Sequence, residues 1–304
     1  MLCTASKASS TSADLVLTPE LSLWGYPAND LLLKKNLIKN QYHILDQLAL
    51  DINKKYGKLS ITVGIAELIN DSFFPNLYNS IALLESGKWK IIARKIILPT
   101  YEVFDEKRYF RSEEKVSVLT KEINNKTWRL GFTICEDLWV NKNIEGRGIH
   151  KKNPIFDLKQ KKVDILINLS ASPYTFKKLE LRSKVSSFAA QYLRVPLIYV
   201  NQIGANDNLI FDGNSFILDK YGSKIKQLKA FSEDLTSWDI EQTNPQKNKI
   251  EKSEMSLIFD ALVLGVRDYA QKCDFKTALI GLSGGIDSAL VSAIATAALG
   301  VIIY

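Results

Sequence analysis

Histidine is nearly absent from this chain of 304 residues, which has only His43 and His150. That shortage argues against a His/Cys zinc site, and any thiol chemistry must find its base elsewhere unless one of the two is recruited. Cysteine is scarce as well. Cys3, Cys135 and Cys273 form no Cys-x-x-Cys pair, and their odd number argues against a disulfide scaffold and for a reducing compartment. No apolar run approaches the roughly 18 residues that a membrane span needs. Met1 to Ser12 is rich in Ser and Thr and has no apolar core of the kind a secretory signal carries. The expectation is a cytoplasmic protein without a membrane partner.

What is present suits a globular protein with a substantial core: 46% of residues are hydrophobic and 24% charged. The length serves one large domain or two ordinary ones. A formal net charge of +7 and a pI near 9.0 raise the question of an anionic partner. The lysines, however, are spread along the chain, many at the ends of apolar runs. They read as a solvated surface, and no nucleic-acid partner is expected.

Along the chain, Ala13–Glu20 reads as an apolar strand stopped at Pro19. Leu31–Tyr56 has helical spacing, Ser60–Ala66 is a strand, and Ser80–Glu85 with Lys88–Ile92 predicts a hairpin around Ser86-Gly87. A strand over Leu130–Ile134 is followed by helix or loop to about Asp157, a strand Val163–Asn168, and a helix from about Lys177 to Leu193. Pro196–Asn201 is a further strand, and Leu209–Leu218 a second hairpin. Strands that alternate with helices and also pair in hairpins imply a mixed sheet covered by helices. Residues 232–252 turn polar and charged, the expected linker between a domain at 1–231 and a second unit at 253–304. That second unit opens with a helix over Met255–Lys272 and a strand over Thr277–Leu282.

Three residues stand just past strand ends: Glu20, Lys95 and Cys135. In a parallel α/β sheet those ends open into the crevice where ligands bind. Amide hydrolysis needs a nucleophile, a group that accepts and returns a proton, and a positive charge for the oxyanion; thiol, carboxylate and ammonium supply these. Each also has a plain structural reading. Cys135 could be a small buried hydrophobe, Glu20 a helix cap and Lys95 a surface charge. If the three meet, the ammonium should lower the thiol pKa.

The segments Pro19-Glu20-Leu21, Arg94-Lys95-Ile96-Ile97-Leu98-Pro99 and Cys135-Glu136-Asp137 resemble the Glu–Lys–Cys signature of the nitrilase, or carbon–nitrogen hydrolase, superfamily. Leu98–Phe110, Ile167–Tyr174, Tyr199–Gly204 and Phe211–Gly213 narrow the resemblance to the glutaminase domain of the glutamine-dependent NAD synthetase family. The resemblance implies an α/β fold, a four-layer αββα sandwich. It implies Cys135 as a nucleophile forming a glutamyl thioester, Glu20 as general base and acid, and Lys95 as stabiliser of the tetrahedral intermediate. Glu106 matches a supporting carboxylate, and Tyr101, Glu136, Ser172 and Lys178 match positions that bind or support glutamine. No protein-bound metal is expected in this chain.

A second motif, Gly281-Leu282-Ser283-Gly284-Gly285-Ile286-Asp287-Ser288, opens the apolar helix Ala289–Leu299. Adjacent glycines let backbone N–H groups approach an anion, and the helix N-terminus adds partial positive charge. No Lys follows, so this is not the ordinary Gly-x4-Gly-Lys-Ser/Thr loop. It resembles the pyrophosphate loop of the N-type ATP pyrophosphatases, placed in the first βα unit of a Rossmann-like synthetase domain. The resemblance implies L-glutamine, deamido-NAD and ATP as substrates, Mg2+ with the phosphates, no cofactor for the glutaminase half, and a homo-oligomer.

The sequence departs from that pattern in places. The family begins with a strand and long helix before the equivalent of Ala13, where this chain has a dozen small polar residues. It also continues well past the phosphate loop, where this chain stops at Tyr304. A fragment carrying the glutaminase half is therefore expected, with a free-standing amidase, or an inactive subunit that acts by assembly, as alternatives. Ala205 and Asn208 stand where Gly and Glu are expected, near the ammonia exit or the contact between domains.

Overall fold

Successive side chains of a β-strand point to opposite faces, and in the inner strands of this protein both faces are largely buried. The computed structural model describes residues 1–70, 73–123, 125–140, 152–241 and 252–300. The chain begins with α1 (Leu2–Ser10), β1 (Leu15–Val16), α2 (Lys35–Tyr56), β2 (Ser60–Leu68), β3 (Leu77–Glu85) and β4 (Lys88–Arg94). Their strands form one sheet in the order β1-β2-β3-β4, with β1 parallel to β2 and the other pairs antiparallel.

The next part comprises β5 (Ser117–Ile123), β6 (Lys126–Ile134), α3 (Pro154–Gln160), β7 (Ile165–Ser170), α4 (Lys178–Leu193) and β8 (Leu197–Asn201). It continues through β9 (Ile203–Asn206), β10 (Leu209–Asp212), β11 (Phe216–Leu218) and β12 (Lys224–Gln227). A second sheet has the order β12-β11-β8-β7-β6-β5, parallel at its centre from β6 to β8, and β9–β10 form a separate hairpin. Last come α5 (Glu254–Lys272) and α6 (Ile286–Leu299).

Ile61, Val63 and Ile65 of β2 pack with Leu45, Ala49 and Ile52 of α2. On the other sheet, Leu166 and Leu197 meet Leu158 of α3 and Val185 and Ala189 of α4. Between the sheets, Ile165, Ile167 and Leu169 of β7 join Phe132 and Ile134 of β6 and Ile81 and Ala93 of the first sheet. The layers therefore run helix, sheet, sheet, helix, which is the expected αββα sandwich. Because β6 and β7 are parallel, the loops that begin at Cys135 and Ala171 open on the same edge. Among the described residues, no helix is long and apolar enough to cross a membrane.

Several expectations need correction. The Met1–Ser12 stretch is largely helix, and Ala5 and Ala8 are buried against the α2 layer; two small side chains suffice for a close helix–helix approach. The strand expected over Ala13–Glu20 shrinks to Leu15–Val16 because Thr18 leaves the ladder. Its N–H donates to Thr62 Oγ1 (3.4 Å) and its hydroxyl to Thr62 O (2.7 Å). Leu209–Leu218 is not one hairpin. Leu209–Asp212 pairs back to Ile203–Asn206, and Phe216–Leu218 crosses into the large sheet beside β8. The β5 arm that pairs with β6 was not anticipated. Thr277–Leu282 forms no strand: no described strand offers it a ladder, and Leu279 and Leu282 are exposed. Residues 141–151, with His150, and residues 242–251 of the expected linker lie outside the described residues.

Candidate active site

Glu20 is brought inward by a tight turn. After Thr18, Leu21 adopts a left-handed φ of 45°, and the turn rests against β2 at Gly64. A Cβ on Gly64 would stand 2.2 Å from Leu21 N, so only glycine admits the turn there. The Glu20 carboxylate is 1% exposed. Its Oε1 accepts hydrogen bonds from Lys95 Nζ (2.7 Å) and Asn79 Nδ2 (2.7 Å), and its Oε2 from the Ala171 N–H (2.9 Å).

Lys95 follows β4 directly and is fully buried. Its ammonium bridges Glu20 and Glu106, with 2.7 Å to each carboxylate. Burial pulls the ammonium pKa down, but Glu106 and Glu20 overcome it and hold the group well above the ordinary lysine value. Glu106, at the start of a short 3₁₀ turn, also accepts from Tyr26 Oη (2.8 Å). Burial pushes its carboxyl up to about 7; Lys95 works against that rise and Glu20 adds to it.

Cys135 opens a 3₁₀ turn at the carboxyl end of β6 with a φ of 45°, a conformation that non-glycine residues resist. Its thiol is buried among the charges of Glu20, Lys95, Glu136 and Glu106. The expected lowering of its pKa is not what this environment produces. Burial and then the Glu20 carboxylate push the thiol well above its ordinary value, and the opposing pull of Lys95 is too small. A thiol raised in this way gives up its proton less readily than a free cysteine, so a neighbouring carboxylate able to take that proton favours attack.

Around this cluster, Tyr101 Oη donates to Glu136 Oε2 (2.8 Å). Lys178 opens α4 and places Nζ 5.2 Å from the centre of the Trp139 ring, just past the Cys135 turn. Ser172 is buried at the end of the β7 loop and is held by Arg182, whose Nε donates to Ser172 Oγ (3.1 Å). Arg182 also pairs with buried Asp212 at 2.8 Å.

Residues 281–288 lie elsewhere. Gly285 caps α6, Gly284 has φ +82°, and Ser283 Oγ and Ser288 Oγ are 3.1 Å apart. A Cβ on Gly281 or Gly284 would meet nothing, so the loop leaves open space before the helix N-terminus, which suits an anion. No group of three or more His, Cys, Asp or Glu side chains able to hold a metal occurs among the described residues. The loop reaches the rest of the molecule through α5, which meets the β9–β10 hairpin. There Asp268 Oδ2 accepts the Ala205 N–H (2.7 Å), and Lys272 Nζ donates to Asn206 Oδ1 (3.1 Å).

Asn79, Tyr26, Arg182 and the Ala171 amide were not singled out from sequence, and Asp137 appeared there only within the Cys135-Glu136-Asp137 segment, with no role of its own. Asn79 left one faint trace, a polar side chain beside Ser80 just before the apolar run Ile81–Leu84 of β3. Arg182 left none, since a charged residue on a surface helix ordinarily faces water.

Residues 1–246 match the carbon-nitrogen hydrolase family, and residues 258–302 match the NAD synthase family. A glutamine-dependent NAD(+) synthetase from Synechocystis sp. is 42% identical over 301 residues, covering 97% of this chain and 53% of the relative. The corresponding protein of Acinetobacter baylyi is 36% identical over 302 residues, with 97% and 51% covered. The solved glutamine-dependent NAD+ synthetase from Acinetobacter baumannii superposes with a TM-score of 0.85 at 35% identity, over 99% of this chain and 53% of that one. An amidase of the nitrilase superfamily from Nesterenkonia shares the fold, with a TM-score of 0.59 at 18% identity over 75% of this chain and 78% of that one. The chain spans about half the length of the curated relatives it matches.

Proposed function

The chain belongs to the carbon-nitrogen hydrolase family, and from that premise we propose that it is the glutamine-hydrolysing part, with the opening of the synthetase part, of a glutamine-dependent NAD(+) synthetase. The observation that carries this reading is the buried Lys95 ammonium bridging Glu20 and Glu106 at 2.7 Å each, with the buried Cys135 thiol among the same charges.

In the proposed reaction, Glu20 takes the Cys135 proton as sulfur attacks the side-chain carbonyl carbon of glutamine. The carbonyl oxygen becomes an oxyanion held by the Lys95 ammonium, already charged and in place. The tetrahedral intermediate collapses, Glu20 returns the proton to the departing nitrogen, and ammonia leaves a glutamyl thioester. Water then gives a proton to Glu20 and attacks the thioester; the C–S bond breaks, Glu20 passes that proton to the sulfur, and glutamate leaves with the thiol restored. Glu106 holds Lys95 from the other side. Tyr101, Glu136, Ser172 and Lys178 would bind glutamine or support the groups that do.

The ammonia would serve the amidation of deamido-NAD. ATP activates the carboxylate as an adenylate and releases pyrophosphate, and ammonia then displaces AMP to give NAD. Residues 281–288 would take the pyrophosphate, and magnesium would ride on the phosphates. The reading describes a cytoplasmic homo-oligomer, and it is compatible with free thiols at Cys3, Cys135 and Cys273. The domain division proposed is 1–231, 232–252 and 253–304.

The test is ammonia release from glutamine by the purified chain, beside Cys135→Ala and with asparagine as the control substrate. Glutamine-selective release that disappears in the variant is expected. A folded, monodisperse chain that releases no ammonia would refute the glutaminase role and leave an assembly subunit.

A further inference from the structure

Asp137 stands two residues beyond Cys135 and is 1% exposed. Its Oδ2 accepts the N–H of Ile134 (3.0 Å), the residue before the nucleophile. Its Oδ1 accepts two more N–H groups, from Ile96 (3.0 Å) and Ile97 (2.7 Å), the two residues after Lys95. A bond to Ile134 alone would be an ordinary local cap of the 3₁₀ turn. The bonds to a segment 41 and 40 residues away in sequence are of another kind. They join the loop that carries the ammonium to the loop that carries the thiol.

We propose that Asp137 is a positioning residue that sets the placement of the Lys95 ammonium against the Cys135 thiol by clamping the backbones of both loops. It touches neither the sulfur nor the ammonium, and it acts on the rate of thiol attack through them. Two features make such a clamp necessary. Cys135 holds a left-handed φ of 45°, which relaxes unless its neighbours are fixed. Lys95 hangs on four methylenes from a residue beyond the end of β4, so the position of its ammonium depends on where that backbone lies. The proposal rests on the glutaminase reading above.

Asparagine is the informative substitution because it keeps the volume and reverses the polarity of one corner. Asp137→Asn retains one carbonyl oxygen and sets an NH2 group against either the Ile134 N–H or the Ile96/Ile97 pair. Donor faces donor, and one jaw of the clamp opens. The experiment uses the full chain and two readouts. The first is kcat and KM for ammonia release from glutamine. The second needs no glutamine: the rate of Cys135 alkylation by iodoacetamide across pH, followed on the Cys135 peptide because Cys3 and Cys273 are exposed.

In D137N, kcat should fall roughly 100-fold, the cost of a misplacement near 1 Å, and alkylation should slow because Lys95, which pulls the thiol pKa down, is displaced, while KM stays within about threefold. In a Lys95→Gln background the same substitution should slow alkylation less than it does in the wild type, because one of the two groups it positions is gone. A monodisperse D137N with wild-type kcat and alkylation overturns the proposal, and so does full additivity with K95Q. If D137N aggregates, Asp137→Ser replaces it. Aggregation of both also overturns the proposal, because Asp137 would then serve the fold as a whole. A wild-type chain that alkylates at Cys135 but releases no ammonia refutes the glutaminase reading, and the alkylation ratios still decide the case of Asp137.

Discussion

Replacing Lys95 by methionine would remove a charge and little volume from a position with no exposure. Glu20 Oε1 and Glu106 Oε1, each 2.7 Å from the lost ammonium, would then face each other without a cation between them. Removing one member of a buried pair costs about 3–5 kcal/mol, because the remaining charge is uncompensated. Two carboxylates share this cation, so the upper end of that range is expected at pH 8. The deficit should depend on pH. Lys95 opposes the rise of the Glu106 carboxyl, already pushed up to about 7, and without Lys95 it climbs further. A raised folded-state pKa contributes stability that is full below the ordinary carboxylate value and is lost as pH rises through the folded one. K95M should therefore be far weaker than wild type at pH 8 and close part of the gap at pH 5, where the variant's Glu106 is neutral. Urea unfolding followed by tryptophan fluorescence at both pH values measures this. A deficit below about 1 kcal/mol at pH 8, or an equal deficit at both, would show that the bridge carries little energy and refute the reasoning. Ammonia release should be lost in either case.

Three further outcomes follow from the same geometry. In Glu20→Gln, ammonia release should drop roughly 10²–10⁴-fold, while Cys135, freed of the carboxylate that raises its pKa, should alkylate no more slowly near neutral pH; undiminished release would place the base elsewhere. Gly64→Ala drives a Cβ to within 2.2 Å of Leu21 N, so it should destabilise the chain by about 1–3 kcal/mol and abolish release by moving Glu20. Full activity in that variant would mean that the turn has room the structure does not show. In the wild type, the raised carboxyl of Glu106, pushed to about 7, makes stability fall as pH rises from its ordinary value toward 7. Glu106→Gln should reduce that slope by up to one proton, about 1.4 kcal/mol per pH unit, and an identical slope in urea titrations would exclude Glu106 as a titrating group.

The central strands were legible because burial on both faces writes itself as near-continuous apolar runs, as in Ile165–Leu169, interrupted only by Asn168. Glu20, Lys95 and Cys135 were legible as residue types placed past strand ends, and the glycine loop as a pattern before an apolar helix. The misses have a common cause. Thr277–Leu282 has a strand-like composition, but a strand needs a neighbouring ladder, and none of the described strands supplies one. Leu209–Leu218 has hairpin-like punctuation, yet Phe216–Leu218 pairs with Leu197–Tyr199 and not with Leu209–Asp212. Ala5 and Ala8 carry too little side chain to announce that they are buried.

The thiol marks the boundary most clearly. From sequence, an ammonium near a cysteine meant a lowered pKa. In the folded chain, burial and the Glu20 carboxylate outweigh that ammonium and raise it. By itself the sequence determined the chemical inventory: which carboxylate, amine and thiol follow strands, and which glycines can approach an anion. Only the tertiary structure decided that Lys95 lies between Glu20 and Glu106, that Asn79 and the Ala171 amide orient Glu20, and that Asp137 joins the Lys95 and Cys135 loops. The physical reason is that composition and periodicity are local properties. The sign of a pKa shift, by contrast, depends on how deeply a group is buried and which charges surround it, and here those charges come from segments far apart in the chain.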